Sequence, residues 1–153
     1  MNGIGGRLRS HFESYEDCHR TEGNRITHEV GIPLILISTL GLLARLRVPG
    51  VPLTVGMIVW FWAMLWACGF CFERGRFSWS HFALIAPYGL VTLGAYFGGA
   101  ALPVSALWLL LAIGWALQLL GHAVFEKRSP AFFMHLKQLF VGPLWIFARI
   151  FRS

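Results

Sequence analysis

The chain has 153 residues, 56% of them hydrophobic and only 13% charged, with a formal net charge of +6. Soluble domains carry about 25% charged residues, so this composition excludes an ordinary aqueous surface, and seven Trp and thirteen Phe point to lipid as the main solvent. A basic excess would suggest nucleic acid in a soluble protein, but here it distributes as membrane topology, and no nucleic-acid partner is expected.

Residues 1–29 are polar and mixed in charge. The GIGG cluster near the start is no phosphate loop, because no strand precedes it. Val30–Ala44 is the first apolar run, short against the ~20 residues of a full crossing. Pro33 is tolerable in its first turn, and a helix starting as early as Asn24 would reach further. Arg45, Arg47, Pro49, Gly50 and Pro52 close it. This run follows a long polar region and lacks a small-residue cleavage pattern, so a removable signal peptide is not expected. Thr54–Phe72 is the second run. Cys68 and Cys71 form a CxxC within it; no βαβ pattern surrounds them, and with Cys18 they make no disulfide framework, so they read as packing residues.

Phe82–Ala101 and Pro103–Phe125 are the third and fourth runs, joined by the short GGAALP turn of an antiparallel helical hairpin. The tail from Ala131 to Phe151 is apolar but interrupted by His135, Lys137, Pro143 and Arg149, which fits an interfacial amphipathic helix. The expected fold is an all-α polytopic membrane bundle of about four transmembrane helices. It forms one integral membrane domain over 1–153: a polar segment 1–29, membrane helices within 30–125, and an interfacial tail 126–153.

With four spans, residues 1–29, the loop holding Arg74 and Arg76, and the tail lie on one side and carry eleven Lys/Arg between them. The other side has Arg45 and Arg47 only. By the positive-inside rule both termini are cytoplasmic, in a bacterial inner membrane or, in a eukaryote, the endoplasmic reticulum. Oligomeric state is not legible.

That topology places His19, His28, His122 and His135 on one face. Tyr15 and His19 are four apart, as are Asn24 and His28, so each pair shares a helical face. On one straight helix His19 and His28 would point to opposite sides, roughly 13 Å apart along the axis. Gly23 can end one helix and Asn24 cap the next, and the resulting helix–break–helix turns the two histidines toward each other. Further along, Gln118, His122 and Glu126 recur every four residues, a polar stripe on an apolar helix. Polar groups at membrane depth are costly unless satisfied and mark function. Gly121 beside His122 admits a close neighbour. His11 and His81 lack such company and read as interfacial.

Three or more imidazoles near a carboxylate suit a divalent transition metal. Zinc-dependent hydrolysis of a membrane lipid and non-haem iron with oxygen both fit, as does a non-enzymatic lipid-binding protein with interfacial histidines. Haem is disfavoured, since axial ligands would sit deeper between facing helices.

The segments YEDCHRTEGNRITHEVGIPL (15–34) and QLLGHAVFEKRSPA (118–131), with GPL at 142–144, resemble the Mpo-like family of membrane 2-hydroxy fatty acid dioxygenases. The resemblance spans nearly the whole chain. It implies Fe(2+), with 2-hydroxy long-chain fatty acids and O2 as substrates, and an α-oxidation releasing CO2 and a fatty acid one carbon shorter. The implied ligand positions fall on His19, His28 and His122, with His135 less regular. Glu126 is a candidate ligand or an acceptor that orients an imidazole N–H, and Tyr15, Asn24 and Gln118 are candidates for supporting the ligands or substrate. Lys127, Arg128, Arg20 and Arg25 are candidates for pairing with its carboxylate.

Overall fold

The computed structural model describes residues 6–73, 75–127 and 137–152. Six α-helices account for most of it: α1 (Gly6–Glu16), α2 (Glu22–Leu43), α3 (Val55–Cys68), α4 (Trp79–Ala101), α5 (Val104–Leu120) and α6 (Gln138–Arg152). The protein is an all-α bundle. Its one sheet among the described residues is a two-residue hairpin, β1 (Phe72–Glu73) with β2 (Arg76–Phe77), which the sequence reading did not anticipate.

Three segments are long and apolar enough to cross a membrane: Glu22–Leu43, Trp79–Ala101 and Val104–Glu126. α3 with the 3₁₀ turn Gly69–Cys71 that continues it is shorter, at the lower limit of a crossing. Outward-facing side chains on these helices are apolar, with Trp62 70%, Leu65 73% and Leu90 72% exposed. Water would not tolerate so much continuous apolar surface on a monomer.

Contacts at the two ends fix the helix directions. At one end Gly41 of α2 lies against Gly99 of α4, and Gly56 at the start of α3 lies against Leu40 and Ala44. Arg45 donates there to the carbonyl of Leu102. At the other end the Arg7 guanidinium donates to the carbonyls of Gly69 and Phe72, both at 3.0 Å, and His81 Nδ1 donates to Phe70 O at 2.8 Å. α2 and α4 therefore run one way and α3 and α5 the other. α1, the hairpin and α6 gather at the end where α2 and α4 begin.

That end also holds the main core. Leu8, Phe12 and Tyr15 of α1 pack with Val141, Leu144, Trp145 and Ala148 of α6 and with Leu84 and Ile85 of α4. The expected amphipathic helix in the tail is present, but its buried face rests on protein. Arg149 ties it to α2 through Glu29, at 2.7 Å, and Glu22, at 3.2 Å. Along the bundle, α2 and α5 approach closely where Gly31 meets Gly114: a Cβ on either would lie 2.9 Å from the other's carbonyl oxygen. Small residues allow such backbone proximity in lipid, where packing and hydrogen bonds drive helix association.

Candidate metal centre

The chain does break between α1 and α2, though not where glycine suggested. α1 ends at Glu16 and α2 begins at Glu22 with Thr21 as its N-cap, so Gly23 and Asn24 both lie inside α2. Glu126 explains the position: its Oε1 accepts from the Thr21 amide at 2.8 Å and the Thr21 hydroxyl at 3.0 Å. A carboxylate at a helix N-terminus satisfies an orphan N–H and complements the helix dipole.

The break folds His19 back over His28, with ring centroids 4.4 Å apart. His122 completes the group at 4.9 Å from each. All three are buried, and one ligating atom from each lies within 4.8 Å of the others. His122 belongs to a π-helical turn, Gly121–Glu126, that extends α5 and ends at Lys127 in the left-handed region, φ 52°. Such π turns insert one residue into the helical register and concentrate at functional sites. Nothing in the apolar pattern signalled this one.

Each ring on the N-terminal side is oriented by the carbonyl four residues before it. His19 Nδ1 donates to Tyr15 O at 2.7 Å and His28 Nδ1 to Asn24 O at 2.8 Å. A carbonyl oxygen only accepts, so both Nδ1 atoms carry the proton and both Nε2 atoms are left with a lone pair for a cation. Backbone carbonyls thus orient both of these rings. His122 Nδ1 is buried without a partner among the described residues, as a ligating nitrogen would be before metal binding. Burial, opposed by the hydrogen bond to Tyr15 and reinforced by His122, pushes the pKa of His19 down to about 4. The ring is therefore neutral, the form that binds metal.

The supporting residues sit close by. The Tyr15 ring stacks on His19 at 4.0 Å between centroids, and burial raises the pKa of its phenol, keeping it protonated. Asn24 is fully buried and its Nδ2 reaches Glu126 Oε1 at 3.3 Å. A Cβ on Gly121 would overlap Asn24 Oδ1 and Thr27 Oγ1, so the expected close neighbour there is α2 itself. Gln118 is 5% exposed and its Nε2 has no partner among the described residues.

The three imidazoles and Gln118 face a cavity of about 310 Å³, at the lower end of small-ligand sites. Gln138 of α6 also lines it, with Oε1 unpartnered among the described residues; a lone glutamine in an apolar tail carries no sequence signal for such a place. Of the basic residues considered for the carboxylate, Arg20 pairs with Asp17 at 3.1 Å and Arg25 donates to His19 O at 2.8 Å. Neither is among the described residues of the lining, nor is the exposed Lys127. His135 and Arg128 lie outside the described residues. His81 is buried at the start of α4, where its Nδ1 donates to Phe70 O.

The family model described as Mpo1-like, 2-hydroxy-palmitic acid dioxygenase, matches residues 6–82 and 76–153. The chain belongs to the Mpo1-like family. It is 30% identical over 146 residues to the 2-hydroxy-palmitic acid dioxygenase MPO1 of Saccharomyces cerevisiae, covering 91% of this chain and 76% of the yeast protein. No solved structure matches it. For this Mpo1-like chain, membership supports an enzyme of dioxygenase type acting on fatty-acid lipids. The buried histidine group is where such an enzyme can hold a metal.

Proposed function

We infer that the protein is a membrane-embedded, Fe(II)-dependent dioxygenase that converts 2-hydroxy fatty acids to fatty acids one carbon shorter. The observation carrying this reading is the grouping of His19, His28 and His122, with donor atoms within 4.8 Å, on a cavity with largely apolar walls. The family relationship narrows the chemistry from metal binding in general to dioxygenation of a hydroxy acid.

The balanced reaction is R–CH(OH)–COOH + O2 → R–COOH + CO2 + H2O. The bond between C1 and C2 breaks, C1 leaves as CO2, and C2 is oxidised to the new carboxyl carbon while O2 is reduced. Ferrous iron, when bound, supplies the redox chemistry that lets O2 react with a closed-shell acid.

The residues of the chain account for the rest. Imidazoles 19, 28 and 122 would hold the cation, and three ligands among the described residues would leave coordination room for substrate oxygens. The carbonyls of Tyr15 and Asn24 fix the tautomers of His19 and His28. Gln118 Nε2 donates to the substrate carboxylate, a role that the unpaired amide of a buried side chain is suited to. The apolar walls exclude bulk water from the reacting carbon. The excess of Lys/Arg in the sequence segments flanking the α1–α6 end supports a cytoplasmic orientation for it, in which the acid approaches from the inner leaflet with its polar head at the interface.

Anaerobic reconstitution with Fe(II), followed by admission of O2 and mass spectrometry of products from a panel of 2-hydroxy acids, tests this. Expected is one equivalent of iron and equal amounts of CO2 and the shortened acid. A protein that holds zinc and hydrolyses lipid esters, or one that binds no stoichiometric metal, would overturn it.

A further inference from the structure

The cavity shared by the histidines does not stop at them. His28, Ile32, Ile35, Leu36 and Thr39 of α2 all line it, at the i, i+4, i+7, i+8, i+11 spacing of a single helical face. Val59 of α3 faces them near the far end, because α3 runs antiparallel to α2 with Gly56 seated at Leu40. The polarity of the lining changes along this axis. Tyr15, the imidazoles, Gln118 Nε2 and Gln138 Oε1 sit at one end, the last two without a partner among the described residues, and apolar side chains, Trp115 included, occupy the remainder up to Thr39.

We propose that this trough holds the acyl chain of the substrate, and that Thr39 and Val59 form its floor and set the chain length accepted. The proposal rests on the hydroxy-acid reading of the metal centre and adds the specificity element to it. From His28 to Thr39 the helix rises about 16 Å. Three bonds of an extended chain advance roughly 3.6 Å, so the trough spans roughly 13 carbon–carbon bonds. Continuity with the metal centre selects the occupant. An acid whose head engages the histidines and the two glutamines has its chain directed along α2, parallel to the lipid chains outside. Placing methylenes against Ile32, Ile35 and Leu36 is favourable by about 0.8 kcal/mol each, which is roughly fourfold in affinity.

Full-length protein in detergent or nanodiscs, loaded with Fe(II), is compared with Thr39→Phe and Val59→Phe across a graded series of saturated 2-hydroxy acids. Leu65→Phe on the outer surface, where Leu65 is 73% exposed, is the control. Turnover is measured, and binding is measured separately by displacement of a fluorescent polyene fatty acid from the anaerobic protein. Both trough variants are expected to retain iron and to lose roughly fourfold in affinity per excluded methylene for the longest acids, leaving the short ones unchanged. Two substitutions on different helices guard against one failing to fold. Equal loss at all lengths, or no change at any, overturns the proposal. A shifted length preference in displacement without turnover of any hydroxy acid would sustain the trough while removing the proposed reaction. Turnover with no length shift would do the reverse.

Discussion

Glu126 accepts two hydrogen bonds from Thr21, 105 residues earlier in the chain, at 2.8 Å from the amide and 3.0 Å from the hydroxyl. This clasp joins the turn carrying His19 to the π-helical turn carrying His122, so it holds two halves of the candidate metal centre together. Glu126→Ala removes charge-assisted hydrogen bonds, each about 2 kcal/mol. It is expected to lower the melting temperature and weaken metal binding by roughly 10–100-fold. Glu126→Gln keeps an acceptor and is expected to recover part of both. Metal titration with thermal melting checks this, and unchanged metal affinity in the alanine variant would make the clasp merely structural.

His19→Ala, His28→Ala and His122→Ala are each expected to abolish stoichiometric metal and oxygen-dependent turnover. The effect should exceed the roughly 10–100-fold cost of altering a supporting residue. Elemental analysis of the purified variants decides it. A variant that keeps one equivalent of metal and its activity takes that histidine out of the ligand set.

Gly121→Ala and Gly98→Ala separate close packing from helix propensity. A Cβ on Gly121 would overlap Asn24 and Thr27, and overpacking of this kind costs about 1–3 kcal/mol. Nothing lies within 4 Å of a Cβ on Gly98, so alanine there is expected to be neutral or stabilising by up to about 1 kcal/mol. Melting temperatures in a single detergent measure both. Equal effects would refute the close approach of α2 to the π turn.

His19 contributes to the pH dependence of the metal-free protein. Its folded pKa of about 4 lies below the ordinary imidazole value of 6.5, so the unfolded chain takes up its proton first as pH falls. Stability from this residue is fully present above about pH 6.5 and is lost as pH drops toward 4, by roughly 3 kcal/mol in all. Thermal melts across this interval, with His19→Asn alongside, test the assignment. An equally steep decline in the asparagine variant would place the titrating group elsewhere.

The membrane class, the helical runs and the gathering of three histidines were legible from residues alone, because hydropathy, Lys/Arg asymmetry and four-residue spacing are local properties of the chain. Tertiary structure decided the rest. The break sits at Thr21 instead of Gly23 because a carboxylate from the far end of the sequence satisfies that helix N-terminus. His122 turns inward on a π turn whose close fit against Asn24 depends on α2 lying beside it. α6 buries its apolar face on α1 and α4 because those helices present a complementary surface at the same end. Partners a hundred residues away leave no periodic trace in sequence, since their positions are set by which backbones can approach and which polar groups are left to be satisfied.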